Sequence, residues 1–465
     1  MILLLRLYEA LNIFQQAHYH SSYLKWGFKH YIKRYVFPII FLVLVFINKG
    51  FIIGFFINSI IGYRFKKRLF FTKRVIRLII TLLLLYSIFI LNIYIYFLTI
   101  ILSDFIVLLA NIINSPIEKK IYKIYKMKAS EKLHNYQGIK IAVGGSYGKT
   151  TTKDFLADMI NKPALKTKES YNTPMGIAIT ANELNNIYDY FICEIGANKE
   201  HDIDELLEMI DPDITILNSI GPQHLEGFKT MDSLINEKMK IINNLDYNKV
   251  AFANVENEYI RNSLGKTKCM VITYGDGGMY HLKENNNSYD VYYQDSLVLN
   301  FETKIKGKHN LNNILACVAV LDYLEIDKNY LKEKIYQLKP SNHRCNIIDC
   351  KDYKIIDSSF NANLIGSIEA IKLLDKNKYI ITPGFVELQS ESKSHHEQLA
   401  LEIMKNNVIP ILIKGNDIKY MIDAFDNNKY PYYVSSSFKK GYSLFKSIKK
   451  DESSLLILND LPDNY

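Results

Sequence analysis

Cysteine is scarce and scattered. The five in 465 residues, Cys193, Cys269, Cys317, Cys345 and Cys350, are odd in number and stand singly, which argues against a disulfide framework and against a cysteine-based zinc site. Acidic residues are almost missing from the first 118 positions, which hold 3 Asp+Glu against 13 Lys+Arg for a net +10. The remainder, with 44 basic and 45 acidic residues, is nearly neutral at −1. The basic excess is thus confined to one end, and no nucleic-acid partner is expected. The opening Met-Ile-Leu-Leu-Leu-Arg is too short for a secretory signal, and no small-residue cleavage site follows it. No repeat is visible, and Glu284-Asn-Asn-Asn287 reads as a polar loop between short strands.

What the N-terminus does contain is apolar. From Leu78 to Ile113 the only Asp, Glu, Lys or Arg is Asp104, and a helical crossing takes ~20 residues, so two closely joined crossings are expected. The stretch 36–63 is apolar too but is interrupted by Asn48-Lys49-Gly50, which leaves one long tilted span or a re-entrant hairpin. Arg64-Phe-Lys-Lys-Arg68 with Lys73, Arg74 and Arg77 is expected on the cytoplasmic side. Lys119, Lys120, Lys123 and Lys126 mark a return to that side, and Lys25, Lys29, Lys33 and Arg34 favour the re-entrant reading. A multi-pass protein of the bacterial inner membrane, with its catalytic domains in the cytoplasm, is the expectation.

Beyond position 138 the pattern changes to strands alternating with helical segments, which predicts mainly parallel sheets with helices on both faces. The strand-like Ile139–Val143 runs into Gly144-Gly-Ser-Tyr-Gly148-Lys149-Thr150-Thr151. A strand that breaks at small residues and opens a helix aims several backbone N–H groups at one point, where the helix N-terminus also favours negative charge. Lys149 is expected to reach the β/γ-phosphates of a nucleotide and Thr150 to ligate Mg²⁺. Val143 stands where the usual phosphate loop has glycine, so only the shorter Gly145-x-x-Gly148-Lys149-Thr150 fits. A second strand, Tyr188–Cys193, ends in Glu194, putting a carboxylate at the sheet edge where α/β ligands sit. A third, Asp213–Asn218, leads to His224 and, fourteen residues on, to Lys238. Asn310, Asn313, Arg344 and Asp357-Ser-Ser-Phe-Asn361-Ala-Asn363 follow.

In this order and spacing the six motifs resemble the Mur ligase family, most closely its members that add D-alanyl-D-alanine to the peptidoglycan precursor. The resemblance covers roughly residues 138–465. It implies ATP-dependent amide formation through an acyl phosphate, with ATP and Mg²⁺ as cofactors. By it, Gly145, Gly148, Lys149, Thr150 and Thr151 would cradle the phosphates, and Thr150 and Glu194 would share a first Mg²⁺. His224 would help hold a second, and Lys238 matches the lysine that some members carbamylate into an anionic metal ligand. Asn310 and Asn313 match the adenine-contacting pair, and Arg344 an arginine facing the nucleotide. Taken singly the residues have plainer readings: Glu194 a surface carboxylate, His224 a loop histidine, Lys238 a solvated helix lysine, and the asparagines caps of a helix beginning near Leu311.

The chain also departs from the family. Ser358 stands where a second aspartate is usual, leaving Asp357 as the acidic residue there. Thr382-Pro-Gly-Phe-Val-Glu387-Leu-Gln389 and Asn459-Asp-Leu-Pro462 replace family sequences in the domain that would receive the amine. Family members usually begin with a UDP-sugar-binding domain, whereas the first 118 residues here are expected to be a membrane region. The resulting expectation is an α/β protein: a membrane region (1–118), a basic connector (119–137), an ATP-binding Mur-ligase-like central domain with a P-loop (138–342) and a smaller Rossmann-like C-terminal domain (343–465). Its expected activity is ligation of an amino acid or short peptide to a carboxylate on an envelope glycan or lipid-linked precursor. The alternatives are the D-alanyl-D-alanine-adding reaction and a non-catalytic, nucleotide-binding membrane scaffold.

Overall fold

A computed structural model describes residues 2–16, 19, 24, 25, 27, 40, 68–89, 102–223, 225–286, 288–339, 346–359, 363–385, 388–415 and 417–458. The chain forms two compact units, residues 1–124 with 462–465, and residues 125–461.

In the first unit three helices are described: α1 (Ile2–Gln16), α2 (Lys73–Phe89) and α3 (Ser103–Asn135), the last continuing into the second unit. Apolar residues of α2 recur at helical spacing, Val75, Leu78, Leu82 and Tyr86, and cluster with Ala10, Ile13 and Phe14 of α1 and Ile106, Val107 and Ala110 of α3. Beside that seam runs a polar one. Arg77 holds Glu118 through two hydrogen bonds of 2.6 and 2.8 Å, Arg74 donates to Asn111 (3.2 Å) and Thr81 to Asn114 (3.0 Å).

The expectation of transmembrane helices is not supported. Among the described residues no helix is long and apolar enough to cross a membrane. The helix α3 carries a lysine-rich second half after Ile117. Composition alone read 78–113 as unbroken apolar chain, whereas α2 and α3 join through charged and amide groups at their flanks. A multi-pass inner-membrane location is therefore not retained. The reading of 36–63, apart from Ile40, and residues 90–101 in the middle of the expected pair of crossings lie outside the described residues.

The second unit contains two sheets. The first has nine strands in the order β2-β3-β1-β4-β5-β6-β7-β8-β9. These are β1 Ile139–Gly144, β2 Ala164–Lys166, β3 Tyr190–Glu194, β4 Ile214–Leu217, β5 Val250–Asn254, β6 Met270–Tyr274, β7 Tyr280–Asn285, β8 Ser288–Tyr293 and β9 Ser296–Phe301. Pairing is parallel from β2 through β7 and antiparallel for β7-β8-β9, whose first turn falls at the polar loop 284–287. Both faces are buried. Ile141 and Val143 of β1 enter one core with Ile192, Ile216 and Phe252, while the alternate residues Ala142, Phe191, Cys193 and Leu217 enter the other, as the two-residue period of a strand requires. The second sheet is built from β10 (Asn346–Asp349), β11 (Tyr353–Ser358), β12 (Lys378–Thr382), β13 (Ile409–Ile413), β14 (Tyr433–Ser435) and β15 (Ser453–Leu458). Its order is β10-β11-β15-β12-β13-β14, parallel except for β10, and its strands alternate likewise.

The strand order positions the site. β1 is flanked by β3 on one side and β4 on the other, so the chain leaving β1 and the chain leaving β4 diverge at the carboxyl edge. Such a switch point opens a crevice for a ligand.

Candidate active site

At that crevice Gly144 ends β1 and the helix α4 (Lys149–Met159) begins. Two residues between them adopt positive φ, Gly145 (137°) and Gly148 (82°). A Cβ at Gly148 would lie 2.8 Å from Asn313 Oδ1 and 3.0 Å from Asn218 Nδ2, so both conformation and space demand glycine. Gly148→Ala is therefore expected to weaken ADP binding by at least about tenfold, roughly 1.4 kcal/mol, in a calorimetric titration; unchanged affinity would remove the loop from the nucleotide site.

The loop is zipped to the segment after β4. Ser146 N–H donates to Ser219 O (2.7 Å), Tyr147 N–H to Ser219 Oγ (2.9 Å), Ser146 Oγ to Gly221 O (3.0 Å) and the Tyr147 hydroxyl to Pro222 O (2.8 Å). Behind it, Asn218 donates to Thr152 Oγ1 (2.7 Å) and accepts from the Tyr274 hydroxyl (2.9 Å), while its carbonyl accepts from Asn254 (2.8 Å). Nothing in the sequence singled out Asn218, which read only as the end of a strand. Its signal was its place at the carboxyl edge of β4, the same signal that marked Glu194.

Several expected residues converge here. Lys149 folds back so that Nζ donates to Gly145 O (2.8 Å) and Ser146 O (3.0 Å). Thr150 Oγ1 donates to Glu194 Oε2 (2.7 Å), and Thr151 is buried beside it on α4. Glu194 is fully buried, and its other oxygen, Oε1, has no hydrogen-bond partner. A buried carboxylate oxygen without a donor is costly, and with an adjacent hydroxyl it forms a donor set of the hard, oxygen-rich kind that Mg²⁺ takes. Thr150 and Glu194 thus fit the metal that the fold implies.

Lys238 sits on the helix Met231–Asn243, only 2% exposed, and donates to Gly145 O (3.3 Å). It is not a solvated helix lysine. Burial first, and the nearby Lys149 ammonium second, push its pKa down to about 7, partly opposed by Glu237 and Asp202. The ordinary value is 10.5, so between about pH 7 and 10.5 the unfolded chain binds more protons than the folded one, and this group lets stability rise with pH across that window. Lys238→Met is accordingly expected to raise the unfolding midpoint at pH 7 by a few degrees and to lose that advantage near pH 10. Equal midpoints for variant and wild type at both values would contradict the burial argument.

Asn310 and Asn313 lie on the helix Lys308–Tyr323, both nearly buried. The helix starts at Lys308 with Gly307 (φ 92°) as its cap, so neither asparagine is the cap. Asn310 instead reaches back to Lys306 O (2.9 Å), and Asn313 borders Gly148. Beside them is a residue that sequence reasoning missed: Glu256, just past β5, which accepts from Lys308 (2.6 Å) and Asn312 (2.7 Å). Asp357 lies on β11 of the second sheet, where its Oδ1 accepts the Ser359 N–H (3.2 Å). His224 and Arg344 fall outside the described residues. Among the described residues no three His, Cys, Asp or Glu form a metal-binding group. The Cys193 thiol is buried in β3 and its pKa is pushed up by burial, the signature of packing and not reactivity.

Residues 143–321, the stretch that holds this loop, Glu194, Lys238 and both asparagines, match the Mur ligase middle domain. The chain carries a Mur ligase domain. Among similar proteins, the UDP-N-acetylmuramoyl-tripeptide–D-alanyl-D-alanine ligase of Borreliella burgdorferi is 26% identical over 356 residues, covering 73% of this chain and 75% of its own. The UDP-N-acetylmuramoylalanine–D-glutamate ligase of Fusobacterium nucleatum is 25% identical over 356 residues, covering 71% of this chain and 76% of its own. The fold is shared with the MurF ligase of Thermotoga maritima in complex with ADP (TM-score 0.66, 23% identity, 74% of this chain and 81% of that one). It is also shared with MurF of Acinetobacter baumannii (0.64, 20%, 73% and 77%). The chain is an ATP-dependent, amide-bond-forming ligase of the Mur type, with ATP and Mg²⁺ as cofactors. A non-catalytic scaffold is thereby set aside.

Proposed function

We propose that this Mur-type ligase joins D-alanyl-D-alanine to UDP-N-acetylmuramoyl-tripeptide. The observation that carries this reading is the recurrence of that one activity among similar proteins from different bacteria, including Borreliella burgdorferi, Rickettsia prowazekii and Bacillus subtilis. A membrane-associated glycan or lipid-linked carboxylate as acceptor rested on the apolar N-terminus, and neither the described helices nor the relatives support it.

When bound, MgATP supplies the phosphoryl group that activates the carboxylate and the positive charge that lets two anions meet. The chain's own residues divide the remaining work. Backbone N–H groups at the start of α4 would face the phosphates, with room secured by Gly145 and Gly148, while those of Ser146 and Tyr147 hold the loop to Ser219. Lys149 leaves its resting acceptors, Gly145 O and Ser146 O, for the transferring phosphate and neutralises charge there. Thr150 and Glu194 would hold the first metal, and His224 would contribute to a second. Asn310 and Asn313 would contact the adenine, and Arg344 and Asp357 match residues that contact the nucleotide in the family. Lys238, with a pKa near neutrality, presents a substantial share of free amine. That form adds to carbon dioxide, giving a carbamate and releasing one proton, which replaces hydrogen-bond donors by two oxygens suited to a hard cation.

The reading is tested by ADP release from the full chain with UDP-N-acetylmuramoyl-tripeptide, D-alanyl-D-alanine, ATP and Mg²⁺, each withheld in turn. Release that requires all four is expected. Release indifferent to the amine, or restored only by a different amine, would redirect the assignment to another member activity, a result that the altered 382–389 and 459–462 sequences make worth seeking.

A further inference from the structure

One buried charge has no part in the scheme above. Lys153 is fully buried on α4, one helical turn beyond Lys149. Its Nζ donates to two main-chain carbonyls, Thr167 O (2.8 Å) and Glu169 O. The carboxylate of Asp154 lies 3.9 Å away and engages Lys166 at 2.9 Å. A buried ammonium is costly unless its donors are used, and here two of its bonds hold backbone. We propose that Lys153 is a positioning residue that clamps the segment Thr167–Thr173 to the helix following the phosphate loop, and thereby shapes the wall of the site that receives the carboxylate substrate.

The segment is fastened at its ends by β3. Thr167 N–H donates to Ile192 O (3.0 Å), Glu194 N–H to Thr167 Oγ1 (3.3 Å) and Gly196 N–H to Asn172 O (3.0 Å). Contact at Gly196 is so close that a Cβ there would lie 2.9 Å from the Asn172 amide carbon. Between these ties Glu169 adopts φ 44°, a left-handed conformation that a non-glycine residue rarely takes without support. The clamp from Lys153 falls on that residue. Lys168 pairs with Glu183 (2.8 Å) and the Thr173 hydroxyl accepts the Gly176 N–H, while Glu169, Ser170 and Tyr171 between them are exposed. Fixed backbone that presents exposed side chains is the arrangement of a recognition wall.

Which substrate it faces follows from the sheet. Asn310, Asn313 and Glu256 belong to elements on the β4-β5-β6 flank of β1, while the segment 167–173 joins β2 to the β3 flank, with Thr150 and Glu194 between. If the adenine lies against the asparagines, as proposed above, the opposite flank is left for the carboxylate-bearing substrate. This inference rests on that reading.

The test uses the full chain with Lys153→Met and Lys153→Arg. In the Met variant, amide hydrogen exchange across 167–173 is expected to quicken by at least about tenfold. The KM for UDP-N-acetylmuramoyl-tripeptide should rise by about tenfold while the KM for ATP and the Kd for ADP stay within about twofold, and the arginine variant should recover most of the loss. Gly196→Ala, which displaces the segment from its other side, should give the same KM pattern with Lys153 intact, and decides the matter if the Met variant does not fold. Unchanged exchange in 167–173, or nucleotide affinity and acceptor KM worsening together, would overturn the proposal. If wild-type protein does not consume the tripeptide substrate, the proposed reaction fails. The exchange and ADP measurements then still decide the clamp: faster exchange at unchanged ADP affinity supports it, and unchanged exchange refutes it.

Discussion

Lys149→Ala is expected to lower the ligation rate by roughly 10²–10³-fold, the usual cost of removing one preorganised group that stabilises transition-state charge. The magnitude follows from placement. Lys149 opens α4 directly after Gly148, and its ammonium donates to the carbonyls of Gly145 and Ser146 in its own loop. Its side chain belongs to neither hydrophobic core of the sheet, so the variant should keep its circular-dichroism spectrum and its unfolding midpoint to within a few degrees. Turnover by purified variant at the wild-type rate would exclude the loop 145–150 as the phosphate cradle.

The second large effect concerns Lys238. Lys238→Ala is expected to lose about 10²-fold or more in kcat and to recover part of it when a short-chain carboxylic acid such as acetate is added. The side chain is fully enclosed and close to Lys149, and two ammonium groups near one carbonyl, Gly145 O, make a poor neighbourhood for magnesium. Converted to a carbamate, the same side chain would instead neutralise Lys149 and supply oxygens. A carboxylic acid in the space vacated by the alanine variant can do likewise, whereas an alkylamine of similar size cannot. Wild-type activity in the alanine variant, or rescue by the amine and not the acid, would show that Lys238 acts as a plain cation or not at all.

The parts of the site that could be read from sequence are those in which local backbone and chemistry coincide. Gly145 and Gly148 had to be glycine for a positive φ, and they are spaced for a strand-to-helix turn. Glu194 ended an apolar strand, and a strand end in a parallel sheet is an address. Lys238 could not be separated from other helix lysines by its own neighbours, because its burial comes from the distant loop at Gly145. The same is true of Asn218, whose partners Thr152, Tyr274 and Asn254 come from three other elements, and of Lys153. These are tertiary pairings of ordinary residue types and leave no periodicity. Helix starts misled for a related reason: Asn310 resembled a cap, but Gly307 turns the chain one residue before Lys308 and the asparagine bonds backwards to Lys306.

The N-terminal stretch shows the converse error. Its apolar composition was plain, but composition does not reveal where a helix begins or what it meets. Arg77 pairs with Glu118, and Thr81 with Asn114, across 41 and 33 positions of chain. Arg77, Asn114 and Glu118 flank the apolar stretch 78–113 and Thr81 lies within it, so polar pairs border the helices at both ends of that stretch. The charge division of the sequence is real all the same, since the basic excess stays within the first 118 residues.

The central claim is tested most directly by the intact mass of the nucleotide-linked product after incubation of the full chain with UDP-N-acetylmuramoyl-tripeptide, D-alanyl-D-alanine, ATP and Mg²⁺. The account predicts that the tripeptide species gains the mass of one D-alanyl-D-alanine less one water, with one ADP formed per product. ADP formation without that gain, or no turnover by folded protein that binds ADP, would contradict it.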